Sequence, residues 1–297
     1  MKLGIITVYI VNPDNSALLD LHLAQIEKHT TVPYTIYAGV NRLLPQFRER
    51  LKRHPRVKIC PCPDTDLRSV DEHSFYLEHL IKYPLQDDAT HIATLHLDSF
   101  PILTDWNMKL SEKLNDICSF ATLEGINTAC LFFHRDYYLK YKPTFLISED
   151  KRSSKEYWQF QKKYDVSPHS GVGFAFSAYL NGLTWHYLKE SVIDKEKTKI
   201  YDNMIFHLEG VVHWQDVSII NKNTAISGLF FNKLVDFLKL FTPRKTREHL
   251  RKINFLSLNN YIDEPRLALE KALLEKRKQK LIADPESYLG NLKNNQQ

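Results

Sequence analysis

The stretch His91-Ile-Ala-Thr-Leu-His-Leu-Asp98-Ser-Phe-Pro101 decides the fold. Its apolar run reads as a strand covered on both faces, and it ends abruptly on an acid. A carboxylate at the carboxyl end of a buried strand stands where open α/β sheets bind their ligands. Taken alone, the same residues also read as a strand followed by an acidic turn. The elements on either side choose between the two.

Upstream, Leu3 to Ile10 is a short continuous apolar run, as expected for a buried strand. Asp14, Asn15 and Ser16 then offer helix caps, and Leu19, Leu23 and Ile26 form an inward stripe before the basic end at Lys28 and His29. Tyr34 to Val40 reads as a second strand and Pro45 to Arg53 as a second helix, stopped by Pro55. Val57 to Cys60 is a third strand. This β-α-β-α-β succession calls for parallel pairing. Ser69-Val-Asp-Glu72 has capping-box spacing, so a helix starts there and carries Leu77, Leu80 and Ile81 into the core. His73 then lies in its first turns, at the positive end of the helix dipole.

Downstream, the chain passes through Trp106 into a helix over 108–114, and Thr128 to Phe133 reads as another strand. Residues Ser148 to Lys163 are rich in charge and show no periodicity, which predicts a mobile loop or lid. His169-Ser-Gly-Val-Gly-Phe-Ala-Phe-Ser177 follows, its two glycines leading into a helix that includes Tyr179 and Leu180. Two glycines without the rest of a P-loop or dinucleotide fingerprint do not make a phosphate loop.

The chain has 297 residues, 43% of them hydrophobic and 25% charged, which excludes wholesale disorder and allows a substantial core. A formal net charge of +5 suits anionic small ligands or a membrane surface, and it does not call for nucleic acid. The cysteines Cys60, Cys62, Cys118 and Cys130 have neither zinc nor redox spacing and read as small buried apolar residues in a reducing compartment. There is no secretory leader pattern at the amino terminus and no apolar run near the ~20 residues that span a bilayer. A cytoplasmic protein is expected.

Over roughly residues 3 to 215 the chain resembles the GT-A glycosyltransferases. The resemblance is carried by Gly4-Ile-Ile-Thr-Val-Tyr9, by the Glu72-His73 helix leading to His96-Leu-Asp98, and by Phe206-His207-Leu-Glu-Gly210. It implies a Rossmann-like, mostly parallel α/β sheet flanked by helices. It implies a nucleotide-sugar donor, a glycan or lipid-linked acceptor, and a divalent cation, Mn2+ or Mg2+, held through a D-x-D motif. Here that motif is H-x-D, or D-S-F if Asp98 matches the first acid, so one of the two usual acids is absent. The resemblance further makes Asp98 and His207 the metal ligands. Thr7, Tyr9, Asn41, Arg68, His73, His96 and Asp98 fall to the donor: Thr7, Tyr9 and Asn41 toward base and ribose, Arg68 toward phosphate.

The residues by themselves support part of this. Carboxylate oxygen is a natural ligand for a hard divalent cation, and imidazole holds Mn2+ more readily than Mg2+. His96 precedes Asp98 by two, which on an extended segment puts both on one side, either as a substitute for the missing acid or as filling beneath Asp98. A catalytic base is not singled out; Asp165, His169 and Asp202 are equal candidates.

Beyond Gly228 the composition changes. Leu229-Phe-Phe-Asn-Lys-Leu-Val-Asp-Phe-Leu-Lys-Leu-Phe241 has a wide apolar face, followed by Arg244, Lys245, Arg247, Arg251 and Lys252. A helix packed on the catalytic domain has this pattern, and so does one lying in a membrane interface through residues 229–252. The expected organisation is therefore a GT-A-like domain over 1–228 and a helical extension over 229–297. The expected activity is sugar transfer, in assembly of a surface polysaccharide. A non-catalytic GT-A-like protein binding a nucleotide or glycan is the alternative, because of the missing acid. A sugar-nucleotide pyrophosphorylase is disfavoured, since Leu3 to Ser16 lacks a glycine- and lysine-rich opening.

Overall fold

A computed structural model of the chain describes residues 1–41, 43–67, 69–166, 169–193, 198–209 and 264–294. The chain falls into two compact units, one made of residues 1–209 with 290–297, the other of residues 210–289. The second unit is described only from Glu264, where a helix runs to Ala283. The expected boundary at 228 and the segment 229–252 lie outside the described residues. No helix among the described residues is long and apolar enough to cross a membrane.

The first unit is built on β1 (Leu3–Val8), β2 (Tyr34–Gly39), β3 (Val57–Cys60) and β4 (His91–Leu95). After β5 (Ser99–Pro101) come β6 (Cys118–Leu123), β7 (Asn127–His134) and β8 (Thr184–Leu188). Seven of these form one sheet in the order β3-β2-β1-β4-β7-β6-β8. The pairs β1 with β2, β2 with β3, β1 with β4 and β6 with β8 are parallel; β7 alone runs against its neighbours. This is the expected α/β architecture with a mostly parallel sheet. The run from His91 takes the middle of it, which is why Ile92, Ala93 and Leu95 are at most 1% exposed.

The connections follow from local chemistry. Helix α1 (Ser16–His29) is entered through a short 3-10 turn, Pro13–Asn15. The cap there is Asn12, whose Oδ1 accepts from Asn15 N at 3.0 Å while Asn15 Oδ1 accepts from Asn12 N at 2.8 Å. Helices α2 (Pro45–Arg53) and α3 (Ser69–Leu80) have the predicted limits, followed by α4 (Lys82–Gln86). Helix α5 (Trp106–Ser111) starts two residues before the expected 108–114 and ends three residues short of it; Trp106 at its start is fully buried and its Nε1 donates to Thr30 Oγ1 at 3.0 Å. Helix α6 (Arg135–Tyr141) follows β7 directly.

One expectation is overturned between 148 and 163. The chain there forms α7 (Glu149–Arg152) and α8 (Lys155–Tyr164), with Ser154 Oγ capping α8 by accepting from Tyr157 N at 3.1 Å. Tyr157 and Phe160 are buried against Phe176, with ring centroids 5.1 and 5.5 Å apart. The charged outer face hides this narrow apolar stripe from a periodicity reading. Phe176 lies on α9 (Val172–Leu180), which joins Phe120, Phe133 and Phe174 in an aromatic core. Each such ring, fully withdrawn from water, stabilises the fold by about 1.5–3 kcal/mol.

A second sheet has the order β5-β11-β10-β9, adding β9 (Glu190–Ile193), β10 (Thr198–Tyr201) and β11 (Ile205–Leu208). It is antiparallel, and none of it was marked in the sequence. Helices α10 (Glu264–Ala283) and α11 (Pro285–Asn294) close the described chain.

Candidate functional site

The site is made where β4 stops. After Leu95 the chain does not continue extended, as the His96–Asp98 spacing suggested, but turns: Ser99 N donates to His96 O at 3.1 Å and His96 N donates to Ser99 Oγ at 2.8 Å. The turn aims β5 out of the main sheet and into the small one. There Ser99 pairs with His207 and Phe100 with Phe206, and the two rings stack at 4.9 Å. Leu208 N donates to Asp98 O at 2.9 Å, locking the late strand to the turn.

This pairing brings His207 to Asp98, with His207 Nε2 3.8 Å from Asp98 Oδ1. Together with His96, these residues offer one ligand atom each, all within 4.8 Å of one another. Asp98 is 3% exposed and His207 5%, so the acid is buried and is not the exposed strand-end group that its place in the sequence implied. His207 Nδ1 is buried with no hydrogen-bond partner. Two ligands held at ~2.1 Å by one ion stand ~3–4 Å apart, so the 3.8 Å separation suits a shared cation better than a direct hydrogen bond.

Behind His96 runs a chain of side chains from four segments. His96 Nε2 meets Thr128 Oγ1 at 3.1 Å, Thr128 Oγ1 meets Ser170 Oγ at 2.6 Å, and Ser170 Oγ meets His73 Nδ1 at 3.2 Å. His73 and His96 also stand edge to face, 4.8 Å between centroids. Burial lowers the pKa of His96 well below the usual 6.5, with His73 and His207 adding to the effect, and burial takes His73 to about 4. Both rings are neutral at pH 7. A neutral imidazole keeps the lone pair that a metal requires.

Beneath the turn, Tyr9 meets His22 edge to face at 5.6 Å. Burial holds His22 near 3, the backbone of Ser99 and Leu97 pulling weakly the other way, and neither ring nitrogen reaches hydrogen-bond geometry. Thr7 and Tyr9, expected toward base and ribose, are both fully buried at the end of β1. Asn41 is exposed and ties the loop after β2 to the loop after β3, donating to Cys62 O at 2.8 Å and Asp64 Oδ1 at 3.4 Å. Arg68 lies outside the described residues. Of the expected residues, the structure therefore gathers His73, His96, Asp98 and His207.

The three candidate bases separate. Asp165 ends α8 in a left-handed conformation, and Asp202 accepts from Lys189 N at 3.0 Å and pairs with His186 at 3.6 Å. Both have structural work in turns. His169 is exposed and adjoins Ser170. Thr128, Ser170 and His22 were not singled out in the sequence. A hydroxyl near the start of β7, another in the turn before α9, and a histidine within an apolar helix stripe carry no signal of their own. A cleft of about 460 Å³ opens between α2 and the edge strand β3, lined in part by Arg48, Lys52 and Ile59, and shares no residue with this cluster.

No family model matches the sequence, and no curated protein matches it. Among solved structures the chain is similar to apo mouse xyloside xylosyltransferase 1, with a TM-score of 0.39 and 8% identity over 63% of this chain and 85% of that one. It is similar to the glycosyltransferase GlyE of Streptococcus pneumoniae TIGR4, with a TM-score of 0.35 and 12% identity over 62% of this chain and 44% of that one. A glycosyltransferase involved in glycosylation of the major capsid of PBCV-1 overlaps 63% of this chain and 80% of its own, with a TM-score of 0.32 and 11% identity. Overlaps this loose establish no shared reaction.

Proposed function

We propose that this chain is a GT-A glycosyltransferase that moves a sugar from a nucleotide-sugar donor to a glycan or lipid-linked acceptor, in assembly of a surface polysaccharide. The observation that carries the reading is the meeting of His96, Asp98 and His207 at the carboxyl edge of a mostly parallel sheet, through the pairing of β5 with β11. That edge is where open α/β sheets take ligands.

His96, Asp98 and His207 are the residues that would hold a divalent cation. When bound, such a cation neutralises the diphosphate as the bond from sugar to β-phosphate breaks. Asp98 supplies the single negative charge of the set, and its burial makes that charge count for more than it would in water. Thr128 fixes the His96 ring from behind. Helix α3 brings His73 to the same cluster, and the N–H groups of that helix end favour a phosphate. Asn41, after β2, remains a proposed donor contact, as do Thr7 and Tyr9 from the end of β1 and Arg68 toward phosphate. Membrane contact through 229–252, at the inner face of a membrane in a cytoplasmic enzyme, belongs to the same proposal. Vesicle sedimentation at low and high salt tests it.

The decisive experiment is a panel of nucleotide sugars incubated with the full chain, with and without divalent cation, reading nucleoside diphosphate release and donor binding. Cation-dependent release from one donor, lost in Asp98→Asn, supports the transferase. Binding without release identifies the non-catalytic alternative that the absent second acid suggested. No binding of any donor overturns both.

A further inference from the structure

We infer that the cation this centre is built for is a late first-row divalent ion of the Zn2+ and Co2+ class, and that Mg2+ is a poor occupant. The inference rests on the reading that His96, Asp98 and His207 form a cation site, and it narrows that reading to a chemical class of ion.

The donor set comes first. Ligand atoms within 4.8 Å of one another come from two imidazoles and one carboxylate. Mg2+ demands oxygen ligands in a nearly ideal octahedron and gives up water reluctantly. Imidazole nitrogen instead suits Zn2+, Fe2+, Co2+ and Ni2+, whose affinities for mixed nitrogen and oxygen sites rise along the first row, with Mn2+ the weakest. One carboxylate leaves little negative charge to draw a hard ion from water.

The surroundings point the same way independently. His207 is 5% exposed; its Nδ1 has no partner, and its Nε2 stands 3.8 Å from Asp98 Oδ1. At 3.8 Å, Nε2 faces the carboxylate beyond hydrogen-bond reach. A metal ion shared with Asp98 would take up the lone pair of that nitrogen. At His96 the opposite nitrogen is already engaged, since Nε2 meets Thr128 Oγ1 at 3.1 Å. With Nε2 as the donor in that contact, Nδ1 keeps the lone pair. A ligating histidine almost always has its second nitrogen fixed in this way by a polar partner, and here the partner is itself held by Ser170 and, through it, His73. With His96 Nε2–H donating to Thr128, the hydroxyls of Thr128 and Ser170 can each donate onward, ending at His73 Nδ1. The chain thus couples the tautomers of the two histidines.

Three protein ligands are also the number that catalytic zinc sites use, the fourth position being left to water or substrate. His73 does not fill that position through Nδ1, which is engaged with Ser170. In the glycosyltransferase reading, a diphosphate oxygen would take it.

The test is isothermal titration of the full chain with ZnCl2, CoCl2, MnCl2 and MgCl2 in turn, repeated on Asp98→Asn, His207→Gln and His96→Asp. Zn2+ and Co2+ are expected to bind on the order of 100-fold or more tighter than Mg2+, with Mn2+ between. Asp98→Asn and His207→Gln should each remove this binding. His96→Asp, which supplies the missing acid, should lower Zn2+ affinity and raise that for Mn2+ and Mg2+. Mg2+ binding as tightly as Zn2+ overturns the inference. So does Zn2+ binding that persists in both Asp98→Asn and His207→Gln, which would place the ion elsewhere, for example at the free thiols Cys60 and Cys62; their absorption with Co2+ distinguishes them. A protein that binds no ion overturns this inference and the cation-dependent transferase together. Zn2+ binding at the centre without any donor affinity removes the transferase and leaves the metal assignment standing. Donor hydrolysis with Mg2+ as the tighter ion does the reverse.

Discussion

Nε2 of His207 stands 3.8 Å from Oδ1 of Asp98, although the two residues arrive on strands of different origin. Asp98 belongs to the turn that ends the central strand β4, and His207 to the hairpin of β10 and β11. Their approach depends on the register of β5, in which Ser99 lies opposite His207. A slip of one residue would turn His207 to the other face of the small sheet.

Asp98→Asn keeps the shape of the turn and removes its charge. The backbone bond from Leu208 N to Asp98 O remains, so the fold should persist, with a melting temperature within about 4 °C of the parent. Divalent-cation affinity should fall by about 100-fold or more, measured by calorimetry. Unchanged affinity would remove Asp98 from the site.

Thr128→Val deletes one hydroxyl from the chain behind His96 at constant side-chain shape. Cation affinity should drop by about 10–100-fold, and Thr128→Ser should restore most of it. Nitrogen chemical shifts of the His96 ring read the same change directly, because its Nε2 proton loses an acceptor. Equal binding by Val and Ser variants would mean that the hydroxyl is only packing.

Stability should decline on mild acidification, through His91. This ring stacks on Phe132 at 5.5 Å and meets His134 edge-on at 4.7 Å, and burial lowers its pKa from 6.5 to about 4. His134 and the amino terminus push it down and Asp136 weakly up. The folded state holds the neutral ring, so the stabilisation is complete above pH ~6.5. It is lost as pH falls toward ~4, by roughly 1 kcal/mol after discounting for the ring's partial exposure. Urea midpoints between pH 7.5 and 4.5 should fall less steeply in His91→Gln than in the parent; parallel slopes would exclude the residue.

Gly173→Ala should destabilise by at least about 1–3 kcal/mol in chemical denaturation. A Cβ there would stand 1.8 Å from the carbonyl oxygen of Thr144 and 3.2 Å from Ile147 Cγ1, and backbone cannot yield as a flexible side chain would. A variant as stable as the parent would show that α9 is not clamped against the segment of Thr144.

The middle of the main sheet was legible because β1, β2 and β4 are buried on both faces, whereas β6 and β8 were not read from the sequence. Such strands read as apolar runs, and β1, β2 and β4 lie where those runs lie, while β3, partly exposed at the sheet edge, was read from its place in the β-α-β-α-β succession. Helices α2 and α3 were legible from Pro45 and from the Ser69–Glu72 spacing, since capping chemistry is local. The same logic failed over Glu149–Tyr164, where two short helices bury only Tyr157 and Phe160 and carry charge on most of the remaining positions. It also failed over the small sheet, whose strands of three or four residues are too short to show a period.

For the site, the chain by itself showed an acid, Asp98, just after a central apolar strand with His96 two residues before it, while His207 came only from the resemblance to GT-A enzymes. Residue type and strand position are local properties. Only the tertiary structure decided that Asp98 is buried, that His96 and Asp98 sit on a turn, and that Thr128 and Ser170 connect His96 to His73. Those facts depend on which distant segments meet. A hydroxyl becomes a partner to histidine only when strand register and helix packing place it within about 3 Å, and a single sequence holds no record of that distance.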